Sequence, residues 1–179
     1  MTKVALVVGH TEASPGATNG FYNVDEFSVN SMLVSKVVEA LSASGVEAEV
    51  VYRGSYKDLP GLVNSLAPSL VVSFHCNAFN TIASGTEVLY YKGSHLGQQC
   101  ALMMQGHLVD ALQLPDRGIK FKSRGDRGGL LLQKTRAPCV IIEPFFIDNN
   151  YDYMVALRNI DTLASNIALG IEEIFDVVL

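Results

Sequence analysis

Short apolar, β-branched runs recur along the chain at Val4 to Val8, Glu47 to Tyr52, Leu70 to Phe74, Glu87 to Tyr91 and Cys139 to Ile142, with a further candidate at Gly129 to Gln133. Each has the length of a strand, and those with apolar residues at odd and even positions alike predict a sheet covered on both faces. Between them the apolar spacing changes to three and four. Val29, Met32, Leu33, Val37, Ala40 and Leu41 form one helical stripe, with Gly45 as its stop. Leu96, Cys100, Met103, Met104, Leu108, Ala111 and Leu112 form a second, opened by Ser94 as a cap. Ile160, Leu163, Ala164, Ile167, Ile171, Ile174 and Phe175 form a third. Strands alternating with helices predict an α/β fold, with a mostly parallel or mixed central sheet of about six strands and helices on both faces. No repeat, linker or low-complexity stretch divides the chain, so residues 1–179 are expected to form a single domain.

Composition agrees with that picture and removes several function classes. Charged residues are 17% of the chain, below the usual ~25%, and the apolar share of 49% must be largely buried. No apolar run approaches the roughly 18 to 20 residues of a membrane span, so stable membrane association is not expected. The formal charge of −5 argues against a nucleic-acid binder that works by neutralising phosphates. The distribution of charge is less even. Seven of the 13 basic residues, Arg117, Lys120, Lys122, Arg124, Arg127, Lys134 and Arg136, lie between 117 and 136, where Asp126 is the only acid. This segment reads as a basic loop, either a solvated face or a clamp for an anionic ligand. Cys76, Cys100 and Cys139 lack C-x-x-C spacing and read as buried thiols rather than a disulfide framework or a cysteine zinc site.

Ligands of open α/β sheets bind beyond the carboxyl ends of the strands, so the residues that follow each run are the place to seek chemistry. Nucleotide signatures fail there: Gly9-His10-Thr11-Glu12 carries neither a G-x-G-x-x-G nor a Walker lysine. Cys76 beside His75 is a poor nucleophile and base pair, because neighbours on a strand point to opposite faces. Three runs instead end in metal-ligand or acid/base types, at His10, His75 and Glu143. Glu26 adds a carboxylate in the first turn of the first long helix, where the helix dipole favours it. Two histidines and one glutamate match an open catalytic zinc arrangement, with a further carboxylate as base. Asp25 and Glu12 are rival carboxylates for the metal. His95 and His107 read as structural or surface residues.

Six segments, in order, carry a resemblance that spans nearly the whole chain. They are Gly9-His10 with Pro15-Gly16-Ala17, Glu26-Phe27-Ser28-Val29-Asn30, Ser73-Phe74-His75-Cys76-Asn77-Ala78, Gly85-Thr86-Glu87-Val88, Leu114-Pro115-Asp116-Arg117-Gly118, and Glu143 with Phe146 and Asn149. Together they resemble the zinc-dependent N-acetylmuramoyl-L-alanine amidases of the type 3 family. The sequence departs from that pattern at Val7-Val8, Thr11 and Pro144-Phe145, and the ligand set stays intact.

The resemblance implies one Zn2+ per chain held by His10, Glu26 and His75, with Glu143 as the catalytic glutamate and Asn77 supporting the ligands from behind. It implies peptidoglycan as the substrate, cut at the amide between N-acetylmuramic acid and L-alanine. The basic segment is expected to hold stem-peptide carboxylates. A zinc carboxypeptidase or another zinc amidohydrolase is an alternative that keeps the metal and changes the bond. A non-catalytic wall-binding module is the other. Met1 leads straight into the first strand and no export signal is read, so the expectation is a single-domain bacteriophage endolysin, made in the host cytoplasm before its release to the wall.

Overall fold

In a computed structural model, which describes residues 2–179, the apolar runs become the centre of a six-stranded sheet. Met1, the first residue of the expected domain, lies outside the described residues. The strands of this sheet are β1 (Lys3–Val8), β4 (Glu47–Tyr52), β5 (Leu70–Phe74), β6 (Thr86–Tyr91), β7 (Asp116–Lys122) and β8 (Cys139–Glu143), and a small hairpin adds β2 (Thr18–Asn19) and β3 (Val24–Asp25). The helices are α1 (Glu26–Leu41), α2 (Leu59–Ser65), α3 (His95–Leu112), α4 (Gly129–Lys134), α5 (Asn150–Arg158) and α6 (Ile160–Val177). Strand order is β4-β1-β5-β8-β6-β7, parallel except where β6 meets β8. The expected single α/β domain with a mixed six-stranded sheet is what the chain forms.

Alternation along the strands separates two cores. Val4, Leu6 and Val8 of β1 face α1, α3 and α6 in the larger core, whereas Ala5 and Val7 face α2 and α4 in the smaller one. The three long helices follow the predicted stripes. Each of the fully buried Leu163, Ile167, Ile171 and Ile174 of α6 contributes about 1.5–3 kcal/mol relative to exposure. Asp25 caps α1 by accepting the Ser28 N–H at 2.8 Å, and Ser94 caps α3 by accepting that of Gly97 at 3.0 Å. The expected glycine stop is corrected: α1 ends at Leu41 with Ser42 as its C-cap, and Gly45, φ +76°, lies in the turn that follows.

Two further expectations are corrected. Residues 129–133 are helical rather than extended: three leucines in a row favour a helix, and Gly128 at φ +84° turns the chain into it. Residues 117–136 are not a loop either. They comprise most of the edge strand β7, a turn closed by Asp126, and α4. The helices α2 and α5 and the hairpin carry no strong period and were not anticipated by the pattern.

Candidate active site

Three parallel strands, β1, β5 and β8, and the antiparallel β6 deliver side chains to one edge of the sheet in a single row. Ser73 on β5 pairs with Val7 on β1 and with Ile141 on β8, and Ile141 pairs with Leu89 on β6. Two residues further along each strand, on the same face, stand Gly9, His75, Glu143 and Glu87. Because β6 runs the opposite way, Glu87 enters this row from the start of its strand, directly opposite Glu143.

His10 follows Gly9 in a left-handed conformation, φ +68°, that a histidine adopts rarely. Its Nε2 lies 3.1 Å from Glu26 Oε2, and His75 Nδ1 lies 2.9 Å from Glu26 Oε1. The two imidazole rings meet edge-on with centroids 5.2 Å apart. Glu26 opens α1 and is 3% exposed, and both its oxygens also accept backbone N–H groups, Ala17 to Oε2 at 3.1 Å and Cys76 to Oε1 at 3.0 Å. Burial alone would raise its pKa, yet hydrogen bonds with His10 and His75, the charge of His75 and the Cys76 amide hold the carboxyl well below the usual range. One donor atom from each of His10, Glu26 and His75 lies within 4.8 Å of the others. Two imidazole nitrogens and one buried carboxylate in that space fit a borderline dication with an open fourth position.

Two glycines make the approach feasible. A Cβ at Gly9 would sit 2.7 Å from His75 Cε1, and one at Gly16, φ +85°, would sit 2.6 Å from Glu26 Oε2 and 2.7 Å from the His10 ring. Neither position has space for a side chain.

Glu143 is half-buried beside this triad. Burial, then the adjacent Glu87 charge and a hydrogen bond shared with it, raise its pKa to about 8 against a smaller opposing effect of Lys122. Glu87 is itself held from two sides, by the Asn77 amide at 2.9 Å and by Arg117 Nε at 2.8 Å. Arg117 lies over the Phe146 ring, 4.9 Å from its centroid. The site therefore includes Glu87, to which the sequence assigns no role, and Arg117, which the sequence places in the basic segment and which pairs with Glu87.

The remaining candidates are placed as follows. Asp25 is spent on the helix cap, and Glu12 is exposed outside the triad. Asn77 contacts Glu87 rather than a histidine. Cys76 is buried, donates to Asn30 through sulfur at 3.7 Å, and has its pKa raised by desolvation, so it is no nucleophile. All three cysteines are free and buried. His95 is exposed, and His107 pairs with Glu173 at 2.6 Å away from the site. Phe145 turns into the larger core, while Asn149 caps α5. Among the described residues no helix is long and apolar enough to cross a membrane.

A family model described as N-acetylmuramoyl-L-alanine amidase matches residues 4–173. An uncharacterized cell wall amidase of Bacillus anthracis is 36% identical over 92 residues, 46% of this chain, and the match covers 16% of that protein's length. The N-acetylmuramoyl-L-alanine amidase of Clostridium difficile 630 shares the fold, with a TM-score of 0.87 at 24% identity over 98% of this chain and 97% of the other. The catalytic domain of the CwlV amidase from Bacillus (Paenibacillus) polymyxa superposes with a TM-score of 0.85 at 25% identity over 99% of both chains. That of the CD27L endolysin targeting Clostridium difficile gives 0.83 at 26%, over 96% and 97%.

Proposed function

Because the chain belongs to the N-acetylmuramoyl-L-alanine amidase family whose model spans residues 4–173, we propose that it hydrolyses the amide between N-acetylmuramic acid and the L-alanine of the peptidoglycan stem peptide. In this reading His10, Glu26 and His75 hold one zinc ion and Glu143 is the general base. The observation that carries it is the row at the sheet edge, where a carboxyl of raised pKa stands beside a triad of metal-binding type.

Zinc, when bound, supplies Lewis acidity that polarises the scissile carbonyl and acidifies the attacking water. Glu26 brings the only negative charge of the donor set, and the Cys76 and Ala17 amides hold its two oxygens in place. Glu143 takes the proton of the water and passes it to the leaving alanine amine. Its burial, which favours the protonated form in isolation, also makes the carboxylate a stronger base. Glu87 keeps that basicity high, and Arg117 and Asn77 prevent Glu87 from moving into the site. A lytic use of the enzyme is supported by the likeness to the endolysin catalytic domain.

The test is release of alanine amines from purified cell wall by the wild type, by chelated protein and by Glu143→Ala. Activity should fall by about 10²–10⁴-fold in the variant and be lost with chelator. Undiminished release in either refutes the mechanism. Loss of terminal residues from the stem, in place of release from intact glycan of a stem peptide with a free alanine amine, would identify a zinc carboxypeptidase.

A further inference from the structure

The triad opens into a groove of about 760 Å³ that runs from the sheet edge back over its less covered face, toward the turn between β7 and α4. Its floor is the row of register partners one step behind the site, Val7, Ser73, Ile141 and Leu89. Within that apolar floor the Ser73 hydroxyl is 1% exposed and has no hydrogen-bond partner. A buried, unsatisfied hydroxyl at the base of an open groove points to a polar ligand group above it.

The walls are cationic. Arg53, Lys122 and Arg127 line the groove, and among the described residues none of them has a carboxylate within ion-pair distance. The acids nearby are engaged: Glu87 pairs with Arg117, and Asp126 accepts the Ser123 N–H to close its turn. Arg53 is positioned in advance, its guanidinium 5.3 Å over the Tyr56 ring and its Nε 3.4 Å from the His10 carbonyl oxygen. Lys122 reaches far enough for its charge to be felt at Glu143. Thus three basic side chains without a close ion-pair partner begin beside the triad and continue along one arm of the groove, which Asp126 shares.

Resting on the amidase reading, we propose that Arg53, Lys122 and Arg127 bind a carboxylate of the stem peptide beyond the scissile bond, so that the enzyme distinguishes stems with free carboxylates from stems in which they are amidated. The groups on the two sides of the scissile amide differ in charge, since the sugar hydroxyls are neutral and the peptide carries carboxylates. A cationic arm therefore takes the peptide, and fixes which way the substrate lies across the zinc ligands. The stacked, unpaired guanidinium of Arg53 suits this task because it gives bidentate hydrogen bonds to a carboxylate at small ordering cost.

Two soluble muropeptides, identical except that one has free stem carboxylates and the other carboxamides, separate the ideas. For the wild type, kcat/KM should be roughly five- to tenfold higher on the free acid, mostly through KM, with a preference that shrinks as salt is raised. In the triply substituted Arg53→Gln, Lys122→Gln, Arg127→Gln protein the two substrates should converge, and Arg127→Lys should retain the preference. Matching far-UV circular dichroism confirms that the variants fold. Equal kcat/KM of the wild type on both substrates, or a preference that survives in the triple variant, overturns the proposal. Cleavage of neither substrate by the wild type overturns the amidase reading, and this proposal with it.

Discussion

Gly9→Ala probes how tightly the site row is packed. The Gly9 N–H donates to the Phe74 carbonyl at 3.0 Å, extending the β1–β5 pairing one step past the strand. An added Cβ would lie 2.4 Å from that same oxygen and 2.8 Å from His75 Nδ1, the atom that faces Glu26. Ordinary contact begins at 3.4 Å, so the backbone oxygen must retreat by about 1 Å or the imidazole must swing away. Overpacking of this kind costs about 1–3 kcal/mol, and at roughly 2–4 °C per kcal/mol for a chain of this size the Tm should fall by about 2–12 °C. Displacing one of three donors should also weaken zinc binding by about 10–100-fold. Thermal unfolding with and without chelator, and competition for zinc against a chromophoric chelator, measure the two effects. Gly20→Ala is the control, since nothing lies within 4 Å of its Cβ position. A Gly9→Ala protein that matches wild type in both assays would show that the row tolerates a methyl group and that the contact argument is wrong.

Three further outcomes follow from the charges in the site. In chelated protein, Glu143 holds in the fold a proton that the unfolded chain releases near pH 4.5, so its contribution is full below that pH and declines as pH rises toward about 8; urea midpoints of Glu143→Gln should lack this decline. Glu26 acts in the opposite sense, because its lowered pKa gives stability that is present above pH 4.5 and lost as pH falls; acid titration of chelated Glu26→Gln should show a shallower loss than wild type. Arg117→Met leaves the buried Glu87 charge with Asn77 alone, which for a pair whose arginine is partly exposed should cost about 1–3 kcal/mol and lower the Tm measured by calorimetry; an unchanged Tm would mean that the pair is screened by water.

His10, His75 and Glu143 were visible because β1, β5 and β8 run parallel and each ends where the chemistry is. Glu87 stands in the same row and escaped notice because β6 runs antiparallel, so its functional end is its beginning. Strand direction is a property of pairing, which no local pattern encodes. The edge strand β7 is exposed along most of its length and alternates poorly, so its lysines and arginines read as a loop. The leucines at 130–132 are apolar enough for a buried strand, and only propensity and the left-handed Gly128 argue for the helix they form. Conversely the long amphipathic helices, whose faces are set by a single period, were placed closely by spacing alone.

The position of β8 bears on how the molecule assembles. It is the last strand in the chain and lies between β5 and β6, near the middle of the sheet. Until residues 139–143 are available, β4-β1-β5 and β6-β7 are two half-sheets with open inner edges, flanked by Val71, Val72, Val88 and Leu89. Such edges invite pairing with other chains during synthesis, and joining them requires contacts between residues far apart in the sequence, which slows folding. The strand that closes the gap is also the one that brings Glu143 to its place between His75 and Glu87. If Glu143 is the general base proposed above, completion of the sheet and assembly of the site are one event.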